Sequence, residues 1–318
     1  DNRTIVLTGP RRVGKTTTIK WALDLINTKN SYYFDLENVA NRDLFRVRDY
    51  DAIINEFQNL GLDTDQKLVV AIDEIQYIKE LSSVVKYLQD NYNIKFILSG
   101  SSSYYLKNLF SESLAGRKVL FEIYPLTFSE FLDFQDVNYS FDTDLSKQHP
   151  FNEIAYNKLS TYYEEYLNWG GLPQIALNQD IDDKKTILEE AFSSYINLDV
   201  QSLSDFKSLE EFRKLIKLLA ARVGSKTNTS ELASILGISR ITVESYIEFM
   251  KKTYLIRTVP VYATSADVQT RKQEKIYFVD NGILNINADV SSGSKFENAV
   301  SVQLSYSDSL EYFERRDQ

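Results

Sequence analysis

Lys15 and Thr16 stand directly after Gly14, and four residues separate Gly14 from Gly9. That spacing, G-x-x-x-x-G-K-T, is the P-loop or Walker A pattern. Glycines let a loop turn its backbone N–H groups inward around phosphate oxygens, and a helix starting there adds its dipole. Lysine places a point charge on the β and γ phosphates, and the neighbouring hydroxyl ligates magnesium. The cradle would be Gly9, Pro10, Arg11, Arg12, Val13, Gly14, Lys15, Thr16 and Thr17. Downstream, Asp73 and Glu74 close five apolar residues, Leu68 to Ile72, in the Walker B arrangement. Asp73 would hold the metal with Thr16, usually through water, and Glu74 would orient the attacking water. Singly, these groups read as a glycine-rich turn and as two acids capping a helix. Together they predict binding of a nucleoside triphosphate.

Two further residues are candidates for the same chemistry. Ser99, followed by Gly100 and Ser101, ends the apolar run from Phe96 and stands where a γ-phosphate sensor belongs. A plain Ser-Gly turn fits equally well. Arg117 follows Gly116 and offers a charge that completes a nucleotide site in cis or in trans, or else a structural loop residue.

Such groups need a scaffold. Ile5-Val6-Leu7 predicts a strand before the loop, and Ile19, Ala22, Leu23 and Ile26 an amphipathic helix after it. A second strand runs from Ser31 to Asp35, with helices around 42–48 and 50–60. The unbroken apolar run at Leu68–Ile72 marks a strand buried on both faces of a parallel sheet. Leu81, Val84, Val85 and Leu88 predict a helix, and Val119–Tyr124 another strand. Thr127 and Glu130 have the spacing of a capping box.

The second half reads differently. Residues 135–150 are polar and loop-like, and 151–223 are helical with a break at Gly170-Gly171. From Thr229 the pattern fits a helix-turn-helix: Leu232 and Ala233 pack the first helix, Gly237 makes the turn, and Ile238, Val243 and Ile247 bury the second. Strands near 254–262 and 274–280 enclose a basic tip from Thr270 to Lys275. Double-stranded DNA is the partner this face allows, through Arg240, Arg271 and Lys272. Glu244 and Glu248 would meet phosphates badly, and a winged helix used for packing or for relaying nucleotide state fits as well. An amphipathic helix from Lys295 and a strand at Leu310–Glu314 close the chain.

Composition narrows the classes. With no cysteine there is no disulfide, thiolate zinc site or cysteine nucleophile. The single histidine, His149, sits beside Pro150 as an expected exposed loop residue, which removes histidine-based metal or acid–base chemistry. A net charge of −9 argues against a globally basic nucleic-acid binder but not against a local basic face. No apolar run is long enough to span a bilayer and no signal peptide is evident, so a cytoplasmic chain without a membrane partner is expected. The chain opens at Asp1 just before a core strand and stops at Gln318 within a strand or turn, which predicts further residues at both ends.

In order and spacing, Gly9–Thr17, Asp73-Glu74, Leu98-Ser-Gly-Ser-Ser and Leu114-Ala-Gly-Arg117 resemble a prokaryotic AAA-type ATPase family. So do Tyr124–Phe131, Trp169-Gly-Gly-Leu-Pro, Tyr195-Ile-Asn-Leu-Asp199, Lys275–Ile283 and Phe296-Glu-Asn-Ala-Val, over nearly the whole chain. The resemblance implies an α/β P-loop NTPase fold of AAA type, a parallel sheet flanked by helices (1–140). A helical region (151–223), a winged helix (224–284) and the start of a small α/β domain similar to PD-(D/E)XK nucleases (285–318) would follow. It implies Mg2+-dependent ATP hydrolysis coupled to the C-terminal region, and it allows a homo-oligomer. The alternative is a slow nucleotide switch acting through protein partners. Glu297 would be the first acid of the nuclease-like set, and the others would lie beyond Gln318, so nuclease chemistry is not expected of these residues.

Overall fold

The structure is a computed structural model describing residues 3–101, 116–139, 150–200, 208–265, 267, 269, 272–306 and 310–314. Its contacts divide the chain into two compact units, Asp1–Tyr124 and Pro125–Gln318.

Unit 1 is built on five strands, β1 (Thr4–Thr8), β2 (Ser31–Asp35), β3 (Leu68–Asp73), β4 (Ile94–Gly100) and β5 (Lys118–Glu122). They lie in the order β2-β3-β4-β1-β5, all parallel. Side chains alternate across the sheet. Leu7, Val69, Ala71 and Ile97 face Ile19 of helix α1 (Lys15–Ile26). Val6, Val70, Ile72, Phe96 and Leu98 face the other way. There they meet Ile53 and Phe57 of α3 (Asp51–Asn59) and Val84, Val85 and Leu88 of α4 (Leu81–Asn91). Covered on both sides, β3 is buried at every position. Each such aliphatic side chain contributes about 1.5–3 kcal/mol on burial. Helix α2 forms at Val39–Phe45, three residues before its expected place, because the Asn38 side chain caps it by accepting from Ala40 N at 3.0 Å. In a parallel sheet the carboxyl ends of all strands share one edge, where the loops after β1 and β3 meet the end of β4.

Unit 2 is mostly helical. The capping box at Thr127 and Glu130 opens α5 (Phe128–Phe134). Then come α6 (Glu153–Trp169), α7 (Pro173–Ala176) and α8 (Ile181–Ser194), which runs into a π-helical turn at Tyr195–Val200. Next are α9 (Leu209–Ala221), α10 (Thr229–Leu236) and α11 (Arg240–Lys252). Strands β6 (Ile256–Val259) and β7 (Lys275–Phe278) pair antiparallel, before α12 (Asn281–Asn287) and α13 (Ser292–Leu304). Leu232, Ala233, Val243 and Ile247 share one core with Phe212, Leu215, Ile276 and Phe278. The strand expected at Leu310–Glu314 is a single bridge from Tyr312 to Val261. Pro260 follows β6 at once and has no N–H to extend a ladder.

Three sequence segments of unit 2 lock together by backbone contact. Gly171 N–H donates to Asp280 Oδ2 at 2.7 Å and Ile283 N–H to Oδ1 at 3.0 Å. A Cβ at position 171 would lie 2.3 Å from Leu126 O, so only glycine fits. Buried Asn298 receives Phe278 N–H on Oδ1 at 2.8 Å and donates to Phe278 O at 3.1 Å and Asn281 Oδ1 at 2.7 Å. Burial pushes the Asp280 carboxyl above its ordinary range, against the pull of the Gly171, Ile283 and Gly282 amides.

Candidate functional site

Strand β1 delivers the chain to the loop at Thr8, and α1 begins at Lys15. Two glycines make the turn possible. At Gly9 (φ 145°) a Cβ would sit 1.8 Å from Ile123 O, and Gly14 caps the helix at φ 93°. Lys15 is 5% exposed, and its ammonium donates to Gly9 O at 3.0 Å and Pro10 O at 2.6 Å. Its charge is therefore held inside the loop. Val13 is buried, Pro10, Arg11 and Arg12 half-buried, and Thr17 exposed.

One turn of chemistry converges on Asp73, at the end of β3 and 2% exposed. Thr16 Oγ1 donates to its Oδ2 at 2.5 Å. Tyr33, on β2, donates its phenol to the same oxygen at 2.8 Å. Ser99, on the intervening strand β4, donates to Oδ1, as does Glu74 N–H at 3.0 Å. A carboxylate accepts about four hydrogen bonds, and all four places are taken.

Glu74 sits in the left-handed region (φ 55°, ψ 48°), a conformation that costs a non-glycine residue of order 1–3 kcal/mol. Burial pushes its carboxyl above the ordinary range, Lys15 and Arg11 draw it down, and Asp73 opposes them. The Gln76 amide donates to Glu74 Oε2 and, at 3.1 Å, to Ser101 Oγ. Gln76 Oε1 is buried and finds no hydrogen-bond donor among the described residues.

Lys15, Thr16, Asp73, Glu74 and Ser99 thus come together at one edge of the sheet, with Ser101 beside them. Arg117 does not join them. Its carbonyl accepts Thr4 N–H at 2.8 Å and its side chain pairs with Asp90, at the amino end of β1. One five-residue strand separates it from the loop, roughly 16 Å at about 3.3 Å per residue. That distance argues against a cis role, and the pair with Asp90 suits a structural loop residue, beside which a trans role stands as a proposal. Tyr33 and Gln76 were not among the expected site residues.

Two of the three expected DNA contacts of unit 2 are paired with acids of the same chain. Arg240 pairs with Glu244 at 2.7 Å, and Lys272 with Glu314 at 2.5 Å, which Lys226 also reaches. Arg271, like His149, lies outside the described residues. Glu297 accepts Tyr277 OH at 2.7 Å and Lys275 Nζ at 3.1 Å. Among the described residues no group of three acids or histidines could hold a metal, and no helix is long and apolar enough to cross a membrane.

Over 305 residues the chain is 25% identical to an uncharacterized protein of Haemophilus influenzae, covering 93% of this chain and 71% of that one. It is 28% identical over 310 residues to an uncharacterized protein of Methanocaldococcus jannaschii, covering 95% and 66%. The chain thus spans about two thirds of the length of these relatives. Among solved structures it is similar to the Aeropyrum pernix ORC2 protein in its ADP form, at 13% identity, covering 96% and 88%, TM-score 0.37. The Aeropyrum pernix ORC1 protein in complex with DNA gives 12% identity, 95% and 88%, TM-score 0.36. Scores at that level decide nothing about this chain. Residues 160–294 match the family model of a domain of unknown function. Residues 1–132 match that of an AAA domain: the chain opens with an AAA-type domain of P-loop NTPase fold, and a helical region follows.

Proposed function

We propose that the chain binds ATP with Mg2+ at the Gly9–Thr17 loop and hydrolyses it, and that unit 2 responds to the nucleotide state. The observation that carries this reading is the 2.5 Å contact between Thr16 Oγ1 and Asp73 Oδ2, beside a lysine held inside its own loop. The residues fit the ligand chemically. Thr16 and Asp73 offer the hard oxygens Mg2+ takes, and Lys15 the charge that phosphate oxygens take. Bound Mg2+ supplies charge neutralisation on the phosphates. Glu74 orients water, and Ser99 steadies Asp73.

Fluorescent ATP-analogue binding and phosphate release test this in three proteins. Lys15→Ala should lose affinity by roughly 10–150-fold, the worth of a charged hydrogen bond. Glu74→Gln should bind as the wild type does while phosphate release falls by on the order of 100-fold or more. Wild-type protein that binds no nucleotide would end the proposal.

Two observations favour the slow-switch reading. Glu74 is buried enough to resist ionisation, and Arg117 is out of reach within one chain. The isolated chain would then turn over slowly, and the ATP-bound state would act through a partner. In that reading the partner is a protein; for the coupled ATPase double-stranded DNA is the partner to try first, although any phosphate must displace Glu244 and Glu314 from Arg240 and Lys272. Turnover measured with and without duplex DNA separates the two readings.

A further inference from the structure

The geometry points to Tyr33 as a positioning residue that fixes Asp73 for the divalent cation, a role resting on the nucleotide-binding reading above. In Ser31-Tyr-Tyr-Phe-Asp35 alternate side chains face opposite ways. Tyr32 and Phe34 go to the α3 and α4 side of the sheet, and Tyr33 goes to the α1 side. Its phenol meets Asp73 Oδ2 at 2.8 Å, the oxygen that Thr16 takes at 2.5 Å. Lys20 lies one helical turn beyond Thr16 and sets its ammonium 5.1 Å from the Tyr33 ring centre. The ring is thus held from the helix side and from the sheet side.

The four donors on Asp73 are not equivalent. Ser99 and the Glu74 amide fix Oδ1. On Oδ2, Thr16 is itself an expected ligand of the cation, so Tyr33 is the donor with no other task. A phenol is both a donor and an acceptor, and here it has an acid oxygen to donate to. Groups that orient a metal ligand from behind tune affinity for the metal more than affinity for its companion ligand.

Tyr33→Phe removes the hydroxyl and keeps the ring, the Lys20 contact and the packing. Tyr32→Phe is the control on the opposite face. Two titrations are read for each protein: a fluorescent ATP analogue in EDTA, and Mg2+ at fixed analogue. Tyr33→Phe should raise the Mg2+ concentration for half-saturation about tenfold, within the 10–100-fold usual for such residues. Its metal-free nucleotide affinity and its melting temperature should match the wild type, and Tyr32→Phe should match in both titrations. Superimposable Mg2+ curves for Tyr33→Phe and wild type would overturn the assignment. So would an equal loss with and without Mg2+, which would make the hydroxyl merely structural. A wild type that binds the analogue without any response to Mg2+ would instead sink the ATP–Mg2+ reading itself, and this assignment with it.

Discussion

At the residue scale, what the site demands of each position can be separated by substitution. Gly9→Ala drives a methyl into the Ile123 carbonyl, whereas Gly14→Ala meets no atom within 4 Å and has only its backbone angle to overcome. The second should cost about 1–2 kcal/mol, the penalty of a left-handed L-residue. The first should cost more, read as a larger fall in melting temperature. Gln76→Leu removes the amide that draws Glu74 toward its ionised form. Phosphate release should slow roughly tenfold with nucleotide affinity unchanged, since one hydrogen bond to a charge is worth about 1.5–3 kcal/mol. That Lys15, Thr16, Asp73 and Glu74 come together was legible because each belongs to a short local pattern, a loop and a strand end. Tyr33 was not. A tyrosine in a strand looks like packing, and nothing local says that its hydroxyl meets an acid 40 positions away.

At the element scale, local rules carried the reading wherever the deciding contacts were local. The Thr127–Glu130 capping box is present as spaced, and Thr127→Ala should destabilise unit 2 by about 1 kcal/mol in denaturant titration. The apolar run at β3 and the helix pair across Gly237 were readable for the same reason. The strand expected at Leu310–Glu314 shrinks to one bridge because Pro260, next to its partner Val261, lacks the N–H that would continue the ladder, a fact about another segment. Glu244 on α11 and Glu314 near the end of the chain decide the electrostatics of this face. Lys226 and Lys272 pull the Glu314 carboxyl down to about 2. A depressed acid contributes stability above its ordinary range and loses it only as pH falls toward that value, so these contacts survive mild acid. Glu314→Gln combined with Glu244→Gln should free the cations and tighten duplex DNA binding. In fluorescence anisotropy at two salt concentrations the dependence on salt should steepen, because more phosphates are met by unpaired cations. If DNA affinity stays at the wild-type level, this face does not serve DNA.

At the scale of the whole molecule, Trp169-Gly-Gly, Asp280-Asn-Gly and Asn298 stood out in the sequence only as part of a family resemblance. They are the places where distant backbone must touch: Gly171 hydrogen-bonds an acid 109 positions ahead, and Asn298 completes the same knot. Contacts of that range are invisible to periodicity, which sees only neighbours along the chain. They also set a clock. Every contact that completes unit 1 is available once residue 124 has been made, but the knot of unit 2 cannot close until Asn298 leaves the ribosome. At roughly 5–20 residues per second that is a wait of about 9–35 s. For that interval the apolar faces of α5 and α6 lack the cover that Ala299 completes, which makes the nascent chain a client for whatever shields such surfaces in the cell.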